Sequence, residues 1–463
     1  MSETWVSERA DGAAEGARPL EPAPGGLTTD LYELTMAASY LRRGMTGPAT
    51  FSLFLRRLPA DRGFAVAAGL DDCLRFLEGF HFKPDELDYL SGLGFDEQAI
   101  EHFRRLRFTG SVRAAPEGTV VFANEPILEV TAPIAEGQLV ETYLLNQITF
   151  QSAIATKAAR CRIAAGDAEL IDFSFRRTHG VEAAFKAARA SAIAGFTATS
   201  NTAAARRYGL RATGTMAHSY VQAFRSESAA FAAFAADFPG RVTFLVDTYD
   251  TLSGVAHAIE VIHRQGMSGQ LAIRLDSGDL LGLSIATRRL LDEAGLATVR
   301  IVASGNLDEY EIERLVQGSA PIDAYGVGTR MGVSADAPYL DSVYKLVAYD
   351  GRPVMKLSPG KATQPDPKQI YRTRAPENIG PDRLVSADEP GPAGMEPLLV
   401  PVMEGGRYLD PPSDLVAAPR ARLEADLRRL PAFALRLADP MSVGVDISTH
   451  LRSLATRVRS GVH

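Results

Sequence analysis

The sequence predicts an α/β protein built on a closed or nearly closed barrel of about seven strands. Two observations lead to this prediction. The chain has 463 residues, which is too long for one ordinary domain, so we expect two. In its middle, apolar segments that end in small or polar residues alternate with helical patterns, a rhythm typical of repeated βα units. The polar residues after each strand favour a site at the carboxyl ends of the strands.

The composition is typical of a globular protein and excludes several functions. Apolar residues make up 46% of the chain, which is enough for a large core and excludes general disorder. The net charge of −7 argues against a dedicated nucleic-acid binder but leaves room for a local cationic pocket. Two cysteines, Cys73 and Cys161, are too few for a disulfide scaffold or a cysteine-rich zinc site. With no apolar run of about 18 residues and no secretory signal, we expect a cytoplasmic protein that does not contact membranes.

The first part of the chain predicts a tail followed by a mixed domain. Residues 1–26 are rich in Ala, Gly, Pro and Glu and lack an apolar period, so we expect a flexible tail. Residues 27–150 are predicted to form an α+β domain, which begins with a helix at TTDLYELT whose first residues are possible caps. The domain continues with a strand at ATFSLFLRRLP, helices at DDCLRFLEGF and DEQAIEHFRRL, several short strands, and one long apolar helix from EGQLVETYLL onward.

Residues 151–345 are predicted to form the barrel domain. Its strands are expected in the segments AELIDFSFRR, AGFTATSNT, RATGTMAHS, VTFLVDTYD, LAIRLDSGD, VRIVASGN and IDAYGVGTR. Helical patterns such as LLGLSIATRRLLDEAGL and LDEYEIERLVQG lie between them. Residues 346–463 follow the barrel. We expect loops over 359–400, where the pattern is weak, and a helix within 413–435.

The most informative motif is IRLDSGD, residues 273–279, at the end of a predicted strand. Side chains alternate along a strand, so Arg274 and Asp276 project to the same side, and Asp279 shares the strand end. A guanidinium beside a carboxylate suits a polyphosphate or ribose ligand. Arginine binds phosphate with two hydrogen bonds, and aspartate can hold a ribose hydroxyl or Mg²⁺. Taken alone, the motif is equally consistent with an ion pair on the surface.

Two glycine motifs that follow predicted strands can form a phosphate site. Gly326, Gly328 and Thr329 lie in GVGTR, and Gly305 lies in VASGN beside Ser304. Glycines let the backbone approach an anion closely, and successive N–H groups can cradle a phosphate. Ordinary turns contain similar pairs of glycines, so the motif alone leaves both interpretations open.

Three further strand ends carry an aromatic ring, a histidine and two carboxylates. In DFSFRR, Phe173 could stack on a flat heteroaromatic ring while Arg176 meets a phosphate, or the phenylalanine could belong to the core. In GTMAHS, His218 could be a nucleophile, a general base or a structural group. No HExxH motif occurs, which argues against a histidine metal site. In VDTYDT, Asp247 and Asp250 could help to hold a cation or could cap the next helix.

Taken in order, these motifs resemble those of the nicotinate phosphoribosyltransferase family, one of the type II phosphoribosyltransferases. The matching segments cover most of residues 27–375 and are TTDLYELT, FSLFLRRLP, LIDFSFRRTHG, GTMAHSY, FLVDTYDT, IRLDSGDL, IVASGN, YGVGTR and VYKLVAYDGRPVMKLS. The ordered set is specific even though each element alone is not. The resemblance implies an irregular α/β barrel with a second domain that is built from the N-terminal region and from segments after the barrel.

The resemblance also implies a reaction. Members of the family join nicotinate to 5-phosphoribosyl 1-diphosphate, which gives nicotinate mononucleotide and diphosphate in NAD salvage. ATP hydrolysis is coupled to this transfer through phosphorylation of the histidine in the GT-x-x-H motif, which is His218 here. Mg²⁺ accompanies the diphosphate and ATP. We therefore expect ATP and Mg²⁺ as cofactors and a homodimer with shared active sites.

Residue roles are carried over from the family in the same way. The expected catalytic residues are His218, Arg274 and Asp276. Phe173 would stack on the pyridine ring, and Tyr32 of the partner subunit would cover the other face. Arg176 and Arg274 would meet phosphate or carboxylate oxygens, and Asp276 would face the ribose. The other expected substrate-binding residues are Thr215 near nicotinate, Gly305, Gly326, Gly328 and Thr329 around the 5′-phosphate, and Asp247 and Asp279.

Other functions remain open from the sequence. Nicotinamide-using relatives place an acid after the second barrel strand, whereas FTATSNT, residues 196–202, contains none, which favours nicotinate over nicotinamide. A non-catalytic barrel that binds phosphoribosyl diphosphate is an alternative of another class. A quinolinate-type decarboxylating transferase would share the broad fold but would not need His218. The segment THG after the paired arginines leaves the role of His179 open.

Overall fold

The computed structural model describes residues 24–358, 363–375 and 379–461 of the chain. Most of the tail predicted at residues 1–26 lies outside these ranges. The elements before the barrel are, in chain order, α1 (Leu31–Arg42), β1 (Pro48–Leu55), β2 (Ala65–Val66), α2 (Leu70–Glu78), α3 (Pro84–Gly92), α4 (Glu97–Arg105), β3 (Ser111–Ala114), β4 (Val120–Val121), β5 (Pro126–Pro133), α5 (Ile134–Leu139) and α6 (Glu141–Ala165).

The barrel region alternates strands and helices as the sequence predicts. Its elements are β6 (Glu169–Asp172), a 3₁₀ turn (Phe175–Arg177), α7 (Val181–Ile193), β7 (Ala198–Thr199), α8 (Thr202–Tyr208), β8 (Arg211–Ala212), α9 (His218–Gln222), α10 (Glu227–Asp237), β9 (Arg241–Leu245), α11 (Thr251–Gln265), β10 (Gln270–Leu275), α12 (Leu280–Glu293), β11 (Arg300–Ser304), α13 (Glu309–Gln317), β12 (Ala324–Val327) and α14 (Thr329–Gly332).

The segments after the barrel are mostly short strands followed by helices. They are β13 (Ser342–Tyr349), β14 (Arg352–Pro353), β15 (Lys368–Thr373), β16 (Asp382–Ser386), β17 (Met395–Pro397), β18 (Val400–Glu404), β19 (Arg407–Tyr408), α15 (Ala417–Arg429), α16 (Ala432–Leu435), β20 (Val445–Ile447) and α17 (Thr449–Gly461). Among the helices in the described ranges, none combines the length and apolar composition needed to cross a bilayer.

The barrel strands form one curled parallel sheet, and this confirms the predicted fold class. The order of its seven strands is β8-β7-β6-β12-β11-β10-β9, so the first and last strands of the region, β6 and β12, are neighbours. The sheet remains open between β8 and β9. Strands β7 and β8 have only two residues each, so they form few hydrogen bonds with their neighbours in the sheet. Between β8 and β9 the chain forms the helices α9 and α10.

A second seven-stranded sheet contains strands from both ends of the chain. Its order is β14-β13-β1-β5-β3-β18-β19. The central strand β1 is buried along nearly its whole length and pairs antiparallel with β5 and with β13, which follows the barrel. The chain therefore returns to the N-terminal sheet after it has completed the barrel. A separate four-stranded sheet contains β17, β15, β16 and β20.

Two large hydrophobic cores lie beneath these sheets. One includes Phe51 and Phe103 of the N-terminal region, and the other includes Phe244 between the barrel strands and their helices. Helix α6 belongs to both, because Ile148 packs in the first core and Ala158 in the second. The long helix thus connects the two halves of the molecule through apolar contacts.

Buried ion pairs also fasten α6 to the barrel. Lys157 Nζ lies 2.5 Å from a carboxylate oxygen of Glu309 and 2.9 Å from one of Asp336, and Arg62 Nε lies 3.1 Å from Asp336. Burial alone would raise the pKa of Asp336, but Arg62 and Lys157 hold it well below its ordinary range. Asp336 therefore remains ionised and links the loop before β2, helix α6 and the segment after α14.

Two details of the sequence prediction are wrong. The single long helix predicted from Glu136 onward is two helices, α5 and α6, which meet at Val140. Apolar residues continue across this junction, so hydrophobic periodicity does not reveal the break.

The predicted loops over 359–400 are also incorrect in the described part of that stretch, which contains β15, β16 and β17. In β15, Arg372 is 1% exposed and pairs with Asp382 of β16 and with Asp426 of α15. Strand prediction from sequence relies on the alternation of apolar and polar residues. In this segment buried ion pairs take the positions of apolar residues, so that alternation is missing.

Candidate active site

The site begins with an apolar layer inside the barrel. The layer is a cluster with one buried residue from each of five strands, namely Ile171, Ala198, Ala272, Val302 and Ala324. Side chains alternate along a strand, so the residues two positions further on point into the same interior. Those residues are Phe173, Ser200, Arg274, Ser304 and Gly326. Strand alternation alone therefore brings together, above this layer, an aromatic ring, a cation, two hydroxyls and a glycine.

Arg274 is the centre of a hydrogen-bond network at the strand ends. Its side chain is only 13% exposed. Its Nε donates to Ser304 Oγ at 2.8 Å, its Nη1 to Thr215 Oγ1 at 2.8 Å, and its Nη2 to Asp276 Oδ1 at 2.6 Å. The Ser304 hydroxyl also donates to Asp276. Four predicted residues from three strand ends are thus held in one rigid arrangement.

The carboxylate of Asp276 is stabilised in its ionised form. Burial alone would raise the pKa of Asp276, but the Arg274 guanidinium and the Ser304 hydroxyl hold that pKa below its ordinary value. At neutral pH the group is a carboxylate whose Oδ1 faces Arg274. Its Oδ2 lies 4.0 Å from His218 Nε2.

A cavity of about 350 Å³, which we call the ring cavity, opens beside Phe173. Its lining residues are Phe173, Phe175, Arg176, Ser200, Gly214, Thr215, Met216, Ala217, His218, Leu245, Arg274 and Asp276. The guanidinium carbon of Arg274 lies 5.3 Å from the centroid of the Phe173 ring, within cation–π range. A Cβ at position 326 would lie 2.5 Å from atoms of that ring, so glycine is needed there for the ring to occupy its place.

An adjoining cavity of about 210 Å³, which we call the glycine cavity, shares four residues with the ring cavity. Its lining residues are Phe173, Arg176, Arg177, Arg274, Asp276, Ser304, Gly305, Asn306, Gly326, Gly328 and Thr329. Gly305 has φ of +89°, and a Cβ there would collide with the backbone carbonyl of Asp276, so only glycine fits without strain. Backbone amides and guanidinium groups around a small polar space can bind a phosphate.

His218 lies at the open side of the barrel, as the first residue of α9. Its Nδ1 is 3.1 Å from Thr248 Oγ1, which follows β9, and its side chain is 41% exposed. The imidazole therefore faces the ring cavity and Asp276, and it can also be reached from solvent. An accessible imidazole that is held from one side can act as a nucleophile.

Three predicted acidic residues stand beside the cavities rather than in their walls. Asp247 Oδ2 accepts from the backbone N–H of Asp276 at 3.1 Å and from Ser277 Oγ at 2.6 Å, and its other oxygen is buried with no hydrogen-bond partner among the described residues. Asp250 caps α11 by accepting from the Ser253 N–H, and Asp279 is the N-cap residue of α12. Asp247 thus positions the Asp276 loop, and the capping interpretation holds for Asp250.

Tyr32 lies on α1, away from both cavities of its own chain. It is 48% exposed. Burial, together with the neighbouring carboxylates of Glu141 and Glu33, raises its pKa, so its hydroxyl stays protonated. Within the described residues, no group of three or more histidine, cysteine, aspartate or glutamate side chains is arranged to hold a metal ion.

The sequence interpretation missed several lining or positioning residues, chiefly Arg177, Ser200, Met216, Thr248 and Asn306. Ser200 was detectable, because it lies two residues beyond the buried Ala198 on the same face of its strand. Thr248 was not detectable, because its contact with His218 joins residues that lie on either side of the sheet opening.

A family model described as the nicotinate phosphoribosyltransferase N-terminal domain matches residues 27–149, and one described as the nicotinate phosphoribosyltransferase family matches residues 168–374. A curated nicotinate phosphoribosyltransferase of Mycobacterium tuberculosis is 51% identical over 83% of this chain and 83% of its own length. One of Bacillus subtilis is 47% identical over 75% of this chain and 72% of its own.

Solved structures give a consistent result. The crystal structure of human nicotinic acid phosphoribosyltransferase superposes with a TM-score of 0.83 and 31% identity, covering 93% of this chain and 99% of that one. The nicotinate-nucleotide pyrophosphorylase from Pyrococcus furiosus superposes with a TM-score of 0.73 and 27% identity, covering 87% of this chain and 95% of that one. Each superposition therefore extends over most of this chain.

Proposed function

The chain belongs to the nicotinate phosphoribosyltransferase family, and we propose that the site at its barrel mouth carries the reaction of that family. Nicotinate and 5-phosphoribosyl 1-diphosphate react to give nicotinate mononucleotide and diphosphate, an entry step of NAD salvage. The single observation that best supports this function is the meeting of two cavities at Arg274 and Asp276. One cavity presents an aromatic face, and the other presents glycine amides and guanidinium groups.

The chemistry of the transfer suits these groups. The pyridine nitrogen of nicotinate attacks the anomeric carbon of the donor, and diphosphate leaves with the bonding electrons. Positive charge builds on the ribose ring and negative charge on the leaving group, so the protein needs electrostatic stabilisation and orientation more than a strong base. Phe173 would orient the pyridine ring, Asp276 would face the ribose, and Arg274 and Arg176 would meet anionic oxygens.

Nicotinate is favoured over nicotinamide by the charge of the ring cavity. Arg176 and Arg274 line it, together with Ser200. Ser200 belongs to the stretch of residues 196–202 after the second barrel strand, where the nicotinamide-using relatives are expected to place an acid and this chain has none. Arginines attract a ligand carboxylate, which a nearby acid would repel. Competition kinetics with both pyridines test this point, and a preference for nicotinamide would contradict it.

We further propose that ATP drives the reaction through His218. An imidazole nitrogen would attack the γ-phosphorus of ATP, ADP would leave, and the phosphohistidine would later be hydrolysed. The exposed edge of His218 beside Asp276 supports this role, because the ring is accessible and lies next to the donor-binding groups.

Mg²⁺ would enter with the diphosphate and ATP. The residues present fit such an ion, because one buried carboxylate oxygen of Asp247 has no hydrogen-bond partner within the described parts of the chain, and Asp276 bonds Arg274 through Oδ1 and not Oδ2. Mg²⁺ in phosphate sites is commonly bound by one or two carboxylates together with substrate oxygens. Its contribution would be to neutralise charge on the diphosphate.

We also propose a homodimer in which Tyr32 of the partner subunit completes the ring cavity. Leu31 and Tyr32 are 56% and 48% exposed on α1, and Phe175 is 36% exposed at the cavity rim, which suits an apolar contact between subunits. Mixing inactive Tyr32→Ala and Phe173→Ala proteins tests the sharing of sites, because a mixed dimer would regain one intact site. Independent sites would give no recovery.

The function is tested by incubating the protein with nicotinate, phosphoribosyl diphosphate, Mg²⁺ and ATP and analysing the products. Nicotinate mononucleotide is expected, together with acid-labile phosphate on the protein. His218→Ala should remove the protein-bound phosphate and the ATP stimulation. His257→Ala is the matched control, because the His257 side chain is similarly exposed at 43% but bonds Glu227 on another part of the barrel. A His218→Ala protein that keeps its ATP stimulation would contradict the phosphohistidine.

The same assay separates the alternatives. A non-catalytic barrel would bind phosphoribosyl diphosphate without forming product, and a quinolinate-type enzyme would consume quinolinate with release of carbon dioxide.

We propose a cytoplasmic location, which is supported by Cys73 and Cys161, both buried as free thiols.

A further inference from the structure

Two consecutive arginines, Arg176 and Arg177, follow the first barrel strand in a 3₁₀ turn. Both are exposed, and neither guanidinium forms a hydrogen bond or ion pair with any residue in the described parts of the chain. Arg330, at the same end of the barrel, is instead paired with Asp308 at 2.8 Å. The proposed mechanism uses Arg176 and gives no role to Arg177.

The two arginines face different spaces. Arg176 lines both the ring cavity and the glycine cavity, whereas Arg177 lines only the glycine cavity. This separation follows from the local backbone, because a 3₁₀ helix has three residues per turn and successive side chains point about 120° apart. Arg177 therefore meets whatever the glycine cavity binds, and it does not meet a ring stacked on Phe173.

Two of the cations that line the glycine cavity have no partner among the residues that the structure describes. Three arginines line it, but Arg274 is already committed to Asp276 at 2.6 Å. The remaining charges are those of Arg176 and Arg177. A phosphate monoester carries nearly two negative charges at neutral pH, and its oxygens match the planar donors of a guanidinium. Arg176 alone would neutralise only about half of that charge.

We propose that Arg177 is a further substrate-binding residue, which binds the 5′-phosphate of the phosphoribosyl donor in the glycine cavity. Arg176 then serves both substrates, and Arg177 serves the donor alone. The assignment rests on the proposed function, since that function supplies the donor. The assignment gives different roles to two adjacent arginines that are both exposed.

The kinetic test compares Arg177→Gln with the wild-type enzyme. The KM for phosphoribosyl diphosphate should rise about 10- to 100-fold, because a charge-assisted hydrogen bond is lost, while the KM for nicotinate stays unchanged. Arg177→Lys should recover part of the affinity, since lysine keeps the charge but not the planar donors. Arg206→Gln is the matched control, because Arg206 is an exposed arginine on the outer helix α8.

A binding test identifies which phosphate is held. Calorimetric titration with ribose 5-phosphate and, separately, with inorganic diphosphate should show that Arg177→Gln weakens binding of the first probe and not of the second. This measurement does not need turnover. A protein without transferase activity would overturn the proposed function, and the ribose 5-phosphate titration would still decide the role of Arg177.

The outcomes are distinct. A selective rise in the KM for the donor with weaker ribose 5-phosphate binding supports the assignment. An unchanged KM for the donor, an equal rise for both substrates, or a loss confined to diphosphate would each overturn it. Because the Arg177 guanidinium has no described partner, the substitution should leave the thermal unfolding temperature unchanged, which a melting curve checks.

Discussion

Replacing Ser304 by alanine tests how the central arginine of the barrel mouth is held. Ser304 is 1% exposed. Its Oγ accepts from Arg274 Nε at 2.8 Å and donates to the carboxylate of Asp276. Ser304→Ala removes both hydrogen bonds with little change in volume, because alanine has neither a donor nor an acceptor at this position.

The expected fall in kcat/KM depends on the hydrogen bonds that Arg274 keeps in the Ser304→Ala variant. A hydrogen bond to a charged group contributes about 1.5–3 kcal/mol. Arg274 would keep its bonds to Thr215 and Asp276, so we expect the loss of one such interaction in the reacting complex rather than the collapse of the network. At about 1.4 kcal/mol for each factor of ten, kcat/KM should fall about 10- to 150-fold.

The substitution also predicts a shift in pH dependence. The Ser304 hydroxyl helps to lower the pKa of Asp276, so that pKa should rise in the variant. The ionised carboxylate exists above its pKa, so activity that depends on it should be lost at a higher pH in Ser304→Ala than in the wild type. Steady-state kinetics with both substrates across acidic and neutral pH measure the fall in kcat/KM and the shift of the acid limb.

Ser284→Ala is the matched control for this experiment. Ser284 is fully buried, and its hydroxyl donates to the Leu281 carbonyl at 3.0 Å inside α12, away from both cavities. It should therefore lower stability without changing kcat/KM. If Ser304→Ala and Ser284→Ala have the same kcat/KM, the hydroxyl does not hold Arg274 during the reaction, and the reasoning is refuted.

Three further predictions concern other parts of the molecule. Gly326→Ala would place a Cβ 2.5 Å from the Phe173 ring, so steady-state kinetics should show a larger rise in the KM for nicotinate than for the donor. Thr248→Ala should slow phosphorylation of His218, whereas Thr248→Ser should retain it, as measured by protein-bound acid-labile phosphate. Asp336→Asn should lower the free energy of unfolding by about 3–5 kcal/mol at neutral pH, because it leaves two buried cations with less compensation. The pKa of the Asp336 carboxyl is lowered in the folded protein, so its contribution to the free energy of unfolding is present above the unfolded pKa of about 3.9 and disappears as pH falls through the folded pKa. Denaturant titrations should therefore show that the free energies of unfolding of the variant and the wild type approach each other at low pH.

The barrel and much of its site could be predicted because the signals are local. Each predicted strand is an apolar segment followed by a small or polar residue, and Arg274 and Ser304 each lie two positions beyond a buried interior residue. A strand end therefore contains, within a few residues, both the apolar residue that fixes its register and the polar residue that enters the site. Ordering these segments around a barrel is enough to bring them together.

What could not be predicted depends on contacts between distant segments. The carboxylates of VDTYDT look alike in the sequence, yet Asp250 caps a helix, Asp247 holds the loop after the next strand, and Thr248 between them reaches His218. These roles are decided by tertiary geometry at the open side of the sheet. The strands after the barrel were missed for a related reason, because Arg372 and its acidic partners are buried as ion pairs and leave no hydrophobic pattern.

The charges above the apolar layer differ between the ring cavity and the glycine cavity, and this difference favours a different part of the substrates in each. Arg274 is covered on one side by the Phe173 ring and neutralised on the other by Asp276, so it presents little net charge to a ring that stacks beside it. Arg176 and Arg177 have no such compensation among the described residues and line the glycine cavity. An aromatic carboxylate can therefore stack on Phe173 and place its carboxylate beside Arg176, which also lines the ring cavity, whereas a phosphate gains most in the glycine cavity, where Arg176 and Arg177 both lie. The same strand ends thus orient the donor and the acceptor toward each other before any bond is formed or broken.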